Sequence, residues 1–491
     1  MARKKDDPDQ LGLALPGLYE LAKPRSGNGT EKLGYHWGDA QPLPKLGSHS
    51  AAKHDIYSTY VDRFVKTLTG RHVQSQLKLT IVDGFSGGGV YDWGGKVVDG
   101  SPLRLLTSID EARAVLQARR SDFNLDVDFV FIDENRNHIA FLREQLLKRG
   151  YSSLIQSGKL RLISQPFEDV IPEVIAAIKK KGRAHHSIFL LDQYGWSDVK
   201  LATVRRIMGE LSNPEVILTF MVDALINLLH DKTSSLSALA AIDYSREDVR
   251  ELLDMKDAYG SKGWKRAIQN TVYRHIQRCT GADFYTPFFV HPPESHRDYW
   301  LIHLSKHHQA REEMGKVFWA TNNTMEHFGG AGFDALGFDP NVDVRQGMMD
   351  YLFDDDAAVR SKRQLLEQLP PLLHSAWNAG SIVTKRSLYA ARANDTPIVG
   401  TLMDSQLTEL RDAGEIVIIG KKLDKAGNVV EMVRERAESY SWDDVIRLPR
   451  EPTLFSVFRQ PSRYVPGEHQ IAPIPICSNS TVERTSDSDH S

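Results

Sequence analysis

The sequence predicts an α/β fold: a mostly parallel sheet with helices on both faces, closed by an antiparallel strand pair and followed by a small unit of helices and a hairpin. Three observations carry this. Apolar strand patterns alternate with helical patterns five times between residues 77 and 221. Two further strand patterns, Phe284–His291 and Tyr299–Ser305, flank the turn-forming stretch Pro292–Arg297. Beyond residue 343 the pattern changes to helices followed by two short strands.

Bulk composition narrows the class. A chain of 491 residues exceeds one ordinary domain. Its 41% hydrophobic and 25% charged residues fit a soluble globular protein. A net charge of −3 excludes binding of polyanions by bulk charge, so any nucleic-acid contact has to come from a local basic patch. The two cysteines, Cys279 and Cys477, exclude a disulfide framework and a Cys-rich zinc site, and the expected location is the reducing cytoplasm. No apolar leader and no run of about 18 apolar residues is present, so no membrane span is expected. The histidines, among them His185-His186, His303 and His307-His308, lack metal-ligand spacing, so no metal is expected.

The elements follow in order. Residues 1–49 read as an irregular arm rich in Gly, Pro, Lys and Asp, with a short helix near Leu18–Ala22. Within Ser50–Thr69, Ile56, Tyr60, Phe64 and Leu68 recur every four residues, which makes one helix face apolar. Leu77–Val82 is a strand that runs into Asp83-Gly84-Phe85-Ser86-Gly87-Gly88-Gly89, and Gly100-Ser101-Pro102 opens the next helix. Strands at Val127–Ile132, Leu160–Ser164, Ser187–Leu191 and Val216–Met221 alternate with helices at 137–149, 167–180 and 199–211. Residues 223–280 read as mainly helical. The expected division is an arm at 1–49, a sheet domain at 50–330, a second unit at 360–440 and a disordered tail at 451–491.

The second unit combines helices at 362–379, 384–393 and 396–413 with strands at 415–421 and 429–436, the pattern of a winged helix-turn-helix. Thr396–Ala413 would be its reading helix. Lys385, Arg386 and Arg392 precede that helix, and Lys421, Lys422 and Lys425 lie on the hairpin, where they suit phosphate contacts. Asp404, Glu409 and Asp412 on the same helix count against this, and winged helices also serve as protein-docking modules.

Four places in the sheet domain carry candidate chemistry. The loop Asp83–Gly89 lets a ligand approach the backbone, because glycine has no Cβ, and the helix that follows offers free N–H groups. Such a loop serves dinucleotides or a methyl donor; it is also an ordinary strand-to-helix turn. The acid at Asp133-Glu134 ends the second strand, where a carboxylate accepts ribose hydroxyls; either residue also suits a helix start. Gln165–Glu168 follows the third strand, where a polar side chain reads an adenine amino group or caps a helix. Asp192-Gln193-Tyr194-Gly195 follows the fourth, where Asp192 holds a target amine and Tyr194 stacks on a base, or both simply pack. Asp133, the Asp192 turn and the terminal strand pair together point to a Rossmann-like class I methyltransferase sheet. S-adenosylmethionine would be held by Asp83, Gly84, Phe85, Gly87, Gly89, Asp133 and Glu168.

These motifs together resemble the three-Cys-motif partner protein family (TcmP), bacterial proteins named for a radical-enzyme-like three-cysteine protein encoded beside them. The matching pieces are His49-x-x-x-Lys53-His54, Ile81–Gly89, Gly100-Ser101-Pro102-Leu103, Phe131–Glu134, Phe189–Gly195 and Tyr299–His303. The resemblance covers roughly residues 45–320 and implies a methyltransferase-like scaffold working with that partner. The family's fourth-strand motif is usually Asp-Pro-Phe/Tyr-Gly, similar to that of tRNA guanine-N2 methyltransferases. Here Gln193 replaces the proline, which removes a φ constraint from the loop presenting Asp192. Three functions follow: a methyltransferase acting on a nucleic-acid base, extruded if it lies in a duplex; a non-catalytic docking partner of the three-Cys protein; or a defence nuclease with a divalent metal at Asp83, Asp133 and Asp192.

Overall fold

The computed structural model describes residues 35–449, apart from 39–41, 71–74, 194, 196, 222–224, 226–238, 246, 252–253, 255–270, 291–298, 322–325, 328–350, 353–354, 397 and 425–426. The arm before residue 35, the joint at 329–343, Tyr194, Lys425 and the tail lie outside the described residues.

Seven strands form the central sheet: β1 (Gln76–Asp83), β4 (Asn124–Ile132), β5 (Leu160–Ile163), β6 (His186–Leu191), β7 (Asn213–Phe220), β8 (Phe284–Val290) and β9 (Tyr299–Ser305). Their order is β5-β4-β1-β6-β7-β9-β8. Neighbours from β5 to β7 run parallel, while β9 runs antiparallel to both β7 and β8. Between the glycine loop and Gly100 lies a hairpin, β2 (Val90–Trp93) and β3 (Lys96–Asp99).

The central strands β1, β4, β6 and β7 become apolar toward their C-terminal ends, where they serve two cores. Leu79 and Ile81, Phe129 and Phe131, Ile188 and Leu190, and Ile217 pack on one face. Val82, Val130 and Ile132, Phe189 and Leu191, and Val216 and Leu218 pack on the other. This period of two produces the near-continuous apolar runs of a sheet buried on both sides. On the first face lie α1 (Ser48–Thr69), α2 (Ser101–Arg119) and α7 (His308–Ala320). On the second lie α5 (Phe167–Lys179) and α6 (Leu201–Glu210). Beyond β4 and before α5 come α3 (Arg136–Lys148) and the short α4 (Ser152–Gln156). A buried polar cluster fixes the register of α1: Tyr60 donates to Glu215, which also meets His303 Nε2 at 3.1 Å. An isolated carboxylate at that depth would be costly, so both partners are required.

The C-terminal unit consists of α8 (Asp355–Asn378), α9 (Lys385–Arg392), α10 (Gly400–Asp412) and an antiparallel sheet of β10 (Val383–Thr384), β11 (Val417–Leu423), β12 (Val429–Val433) and β13 (Val445–Arg447). It has its own core, built on Leu365, Leu369, Met403, Leu407, Ile418 and Ile446. Strand β13, not foreseen in the sequence, joins β10 to β11.

Several side chains join this unit to the sheet domain, and the most deeply buried of them is an arginine. Arg311 of α7 is fully buried. It donates to the carbonyls of Ala393 (3.2 Å), Ile398 (2.7 Å) and Thr396, and to the Tyr389 hydroxyl (2.8 Å). Its neighbour Glu312 accepts from Gly400 N at 2.7 Å, at the start of α10. Asn394 adds two bonds to the sheet domain, from Tyr285 N at 2.7 Å and to Asp283 O at 2.9 Å.

The structure corrects one phosphate-contact expectation. Lys385 is 4% exposed, its ammonium lies 2.7 Å from Asp404 Oδ2, and it also donates to Tyr440 O. A lysine held inside by a buried carboxylate does not reach a phosphate. Arg386 is half-exposed but paired with Asp443 at 2.9 Å and set against His308, and Arg392 lies 3.9 Å from Asp395. Lys421 and Lys422 are exposed on the β11–β12 hairpin.

Arg311→Met keeps the apolar stem but strands the carbonyls it served. We expect a loss of about 3 kcal/mol in denaturant unfolding, from unsatisfied buried groups, and a separate, earlier transition for residues 355–447. A single transition with an unchanged midpoint would contradict the assignment.

Candidate functional site

The parallel strands present their C-terminal ends on one edge. Asp83 closes β1, Asp133 follows β4 and Asp192 follows β6. Because these three strands are adjacent, the fold brings together three carboxylates that lie far apart in sequence.

Asp83 is 1% exposed. It accepts from Ser101 Oγ at 2.6 Å and from Phe85 N at 3.1 Å. Burial pushes its carboxyl up to about 7; those two hydrogen bonds oppose the rise, and the charges of Asp192 and Asp133 add to it. Phe85 itself is half-buried, its ring 6.0 Å from that of Phe167.

Asp133 is held on both oxygens. Oδ1 accepts from Asn135 N (2.8 Å) and meets His138 Nδ1 (3.0 Å); Oδ2 accepts from Gly87 N (3.0 Å). The carboxylate expected to meet a ribose thus also stitches the glycine loop to the start of α3.

Asp192 meets Lys53 of α1, and its Oδ1 also accepts from Thr219 Oγ1 at 2.7 Å. Burial alone would raise this carboxyl, but the Lys53 ammonium and the Thr219 hydroxyl outweigh it and hold the group below the usual range. Beside the pair sits His54, 4% exposed and with Nδ1 unpartnered. Burial lowers its pKa to about 3 against the pull of Asp192, so the imidazole is neutral.

Several residues have structural work in addition to, or instead of, the expected one. Glu168, expected at the adenine, spends its carboxylate on α6: Oε1 accepts from Lys200 N (2.9 Å) and Oε2 from Thr203 Oγ1 (2.6 Å), an N-terminal cap. The glycines leave room for protein: a Cβ on Gly84 would meet Leu191 and Phe167, and one on Gly89 would meet Leu142. Gln193 does not loosen its loop. Its side chain is 2% exposed, donates to Thr219 O (3.0 Å) and accepts from Val199 N (2.9 Å), and so pins the turn between β7 and the approach to α6. A groove of about 510 Å³ along the edge of β5, lined by Arg161, Ser164 and Gln165, includes none of the three carboxylates. Among the described residues no group of three or more His, Cys, Asp or Glu side chains is arranged to hold a metal ion.

Lys53, His54, Ser101 and Thr219 complete the site. Lys53 left a signal in the sequence. It lies three, seven and eleven residues before Ile56, Tyr60 and Phe64, on the apolar stripe of α1. A cation on such a stripe needs a buried partner.

No protein-family model matches the sequence, and no curated protein matches it. Solved structures resemble it at low identity. A Legionella pneumophila protein is 11% identical over 55% of this chain and 91% of its own, with a TM-score of 0.32. The human methyltransferase 10 domain containing protein is 13% identical over 51% and 82%, with a TM-score of 0.24. A Listeria monocytogenes protein described as a putative class I S-adenosylmethionine-dependent methyltransferase is 11% identical over 53% and 62%, with a TM-score of 0.23. At such scores they add nothing to what this chain's own strand order says about its fold.

The Asp83 environment makes stability pH-dependent. Its folded pKa lies above the unfolded value, so the folded state holds the extra proton and loses stability as pH rises from about 4 to about 7. Asp83→Asn removes that dependence. Its stability relative to the parent should improve across this window by a few kcal/mol, at about 1.4 kcal/mol per pH unit. Parallel denaturation curves for the two proteins at every pH would contradict the assignment.

Proposed function

We propose that the chain is an S-adenosylmethionine-dependent methyltransferase-like protein that acts on a nucleic-acid base. The observation that carries this reading is the set of three carboxylates on adjacent strand ends, around a glycine loop, in a parallel sheet with one reversed strand. Asp83 would engage the amino end of the methionine and Asp133 the ribose, with Phe85 beside them in the cofactor site. The cofactor supplies an electrophilic methyl on a sulfonium, so the protein's task is orientation of the acceptor. Asp192 is the group that would hold an acceptor amine, kept ionised by Lys53.

In this reading the C-terminal unit is a winged helix, with α10 as reading helix and the β11–β12 hairpin as wing. Lys421 and Lys422 are its phosphate contacts. Its sequence-independent affinity would come from these lysines and from Arg386 exchanging Asp443 for a phosphate.

A second reading is a docking partner of a three-Cys-motif protein that transfers no methyl group. The glycine loop packed against side chains and the Lys53–Asp192 pair favour it, since both are satisfied without a ligand.

Calorimetry separates the steps. S-adenosylmethionine should bind, and Asp133→Ala or Asp83→Ala should weaken binding by about 10- to 100-fold, the worth of hydrogen bonds to a charged group. No binding at millimolar ligand, or unchanged affinity in both variants, would sink the methyltransferase reading. Binding without transfer of a tritiated methyl to DNA, tRNA or rRNA would favour the docking reading.

Nucleic-acid binding is read by salt. Replacing Lys421 and Lys422 with Ala should lower affinity for any sequence and reduce the slope of log K against log salt by about 2. An unchanged slope would remove the wing from the interface.

A further inference from the structure

Residues 42–46 lie beside the hairpin: Leu46 N donates to Asp92 O, and Asp92 N donates to Pro44 O, each at 2.9 Å. Residues 42–46 are therefore anchored, and Trp37 shortly before them lies on the glycine loop. Trp37 is 6% exposed and its indole N–H donates to Val90 O at 2.6 Å. Its ring covers the turn so closely that a Cβ on Gly88 would lie 2.2 Å from the indole Cγ, and one on Gly87 2.7 Å from Cη2. Gly87 also sits at φ +57°, a conformation that side chains disfavour. The glycines at 87 and 88 are thus required by an indole of the same chain.

The contact continues into the carboxylate. The Trp37 ring meets the His138 ring edge-on at 4.8 Å and 78°. His138 Nδ1 meets Asp133 Oδ1 at 3.0 Å, and Asp133 Oδ2 accepts from Gly87 N at 3.0 Å. These four residues close a circuit: indole on the turn, turn amide on the carboxylate, carboxylate on the imidazole, imidazole on the indole. Tyr91 borders it, with its ring 5.2 Å from that of Trp37.

We propose that Trp37 is a positioning residue of the cofactor site: its indole sets the shape of the Gly87–Gly88 turn and, through His138, the orientation of the Asp133 carboxylate. The proposal rests on reading this site as the one that takes S-adenosylmethionine. Trp37 itself need not touch the ligand. It acts by holding two groups that would, the loop backbone and the carboxylate.

The test uses the full chain and calorimetry with S-adenosylmethionine, beside amide exchange at Gly87. Trp37→Ala should weaken binding by about tenfold or more and expose the Gly87 amide to exchange, whereas Trp37→Phe should restore most of both. Gly88→Ala should weaken binding comparably in the parent protein. In the Trp37→Ala background it should cost less than about twofold more, because the space the new methyl needs has been vacated. A merely structural tryptophan would lower the melting temperature while leaving the affinity of the folded fraction unchanged. That result, or full additivity of the Trp37 and Gly88 changes, would overturn the proposal alone. Failure of the parent protein to bind at millimolar ligand would overturn the site reading and the proposal with it.

Discussion

A carboxylate removed from water must find donors, and the parallel sheet imposes this requirement three times on one edge. Most of the donors that answer it come from the helices and loops around the strand ends, and one comes from β7. Asp83 is met by Ser101 at the first residue of α2, Asp133 by Gly87 and by His138 of α3, and Asp192 by Lys53 of α1 and Thr219 of β7. The helices around the site are therefore tied to the strand ends by polar contacts, while apolar packing holds the rest of their length. The three carboxylates differ in how well they are served. Asp192 has a cation and stays ionised; Asp83 has only neutral donors and rises to about 7.

The C-terminal unit obeys a similar requirement at a different place. Ala393, Thr396 and Ile398 present carbonyls to the sheet domain, and the buried Arg311 guanidinium gathers all three together with the Tyr389 hydroxyl. A planar fork with five donors suits this better than an ammonium. The Arg311 contacts tie the C-terminal unit, to which the β11–β12 hairpin belongs, to α7 of the sheet domain.

Much of the architecture was legible because its signals are periodic. Short apolar runs alternating with helical patterns located the strands of the sheet to within a few residues, and the turn at 100–102 marked the start of α2. What was not legible depends on contacts across the fold. Glu168 looks like a candidate ligand-binding acid until α6 is seen to start beside it. Lys385 looks like a surface lysine until Asp404, 19 residues on, is seen to enclose it. Trp37 lies in a segment with no periodicity at all, so nothing in its neighbourhood announces that it covers the glycine loop. Glycines carry the same ambiguity: the sequence shows that a backbone is approached closely, and only the structure shows that indole and leucine side chains do the approaching.

Gln193 illustrates how a lost constraint is replaced. A proline after Asp192 would stiffen the turn through its ring. Gln193 stiffens it through an amide that bridges Thr219 O and Val199 N, so the turn is held from two neighbouring elements. The presentation of Asp192 therefore does not separate a catalytic from a docking protein. The ion pair with Lys53 bears on that distinction more directly. An ionised carboxylate offers about four lone-pair sites, and the Thr219 and Lys53 contacts both fall on Oδ1. Lys53 thus does two things at once: it occupies part of the group that would receive an amine, and it keeps that group charged in surroundings that leave Asp83 near neutrality. Under the proposed methyltransferase reading, an acceptor amine would have to bind beside the ammonium, at a carboxylate whose charge is already balanced.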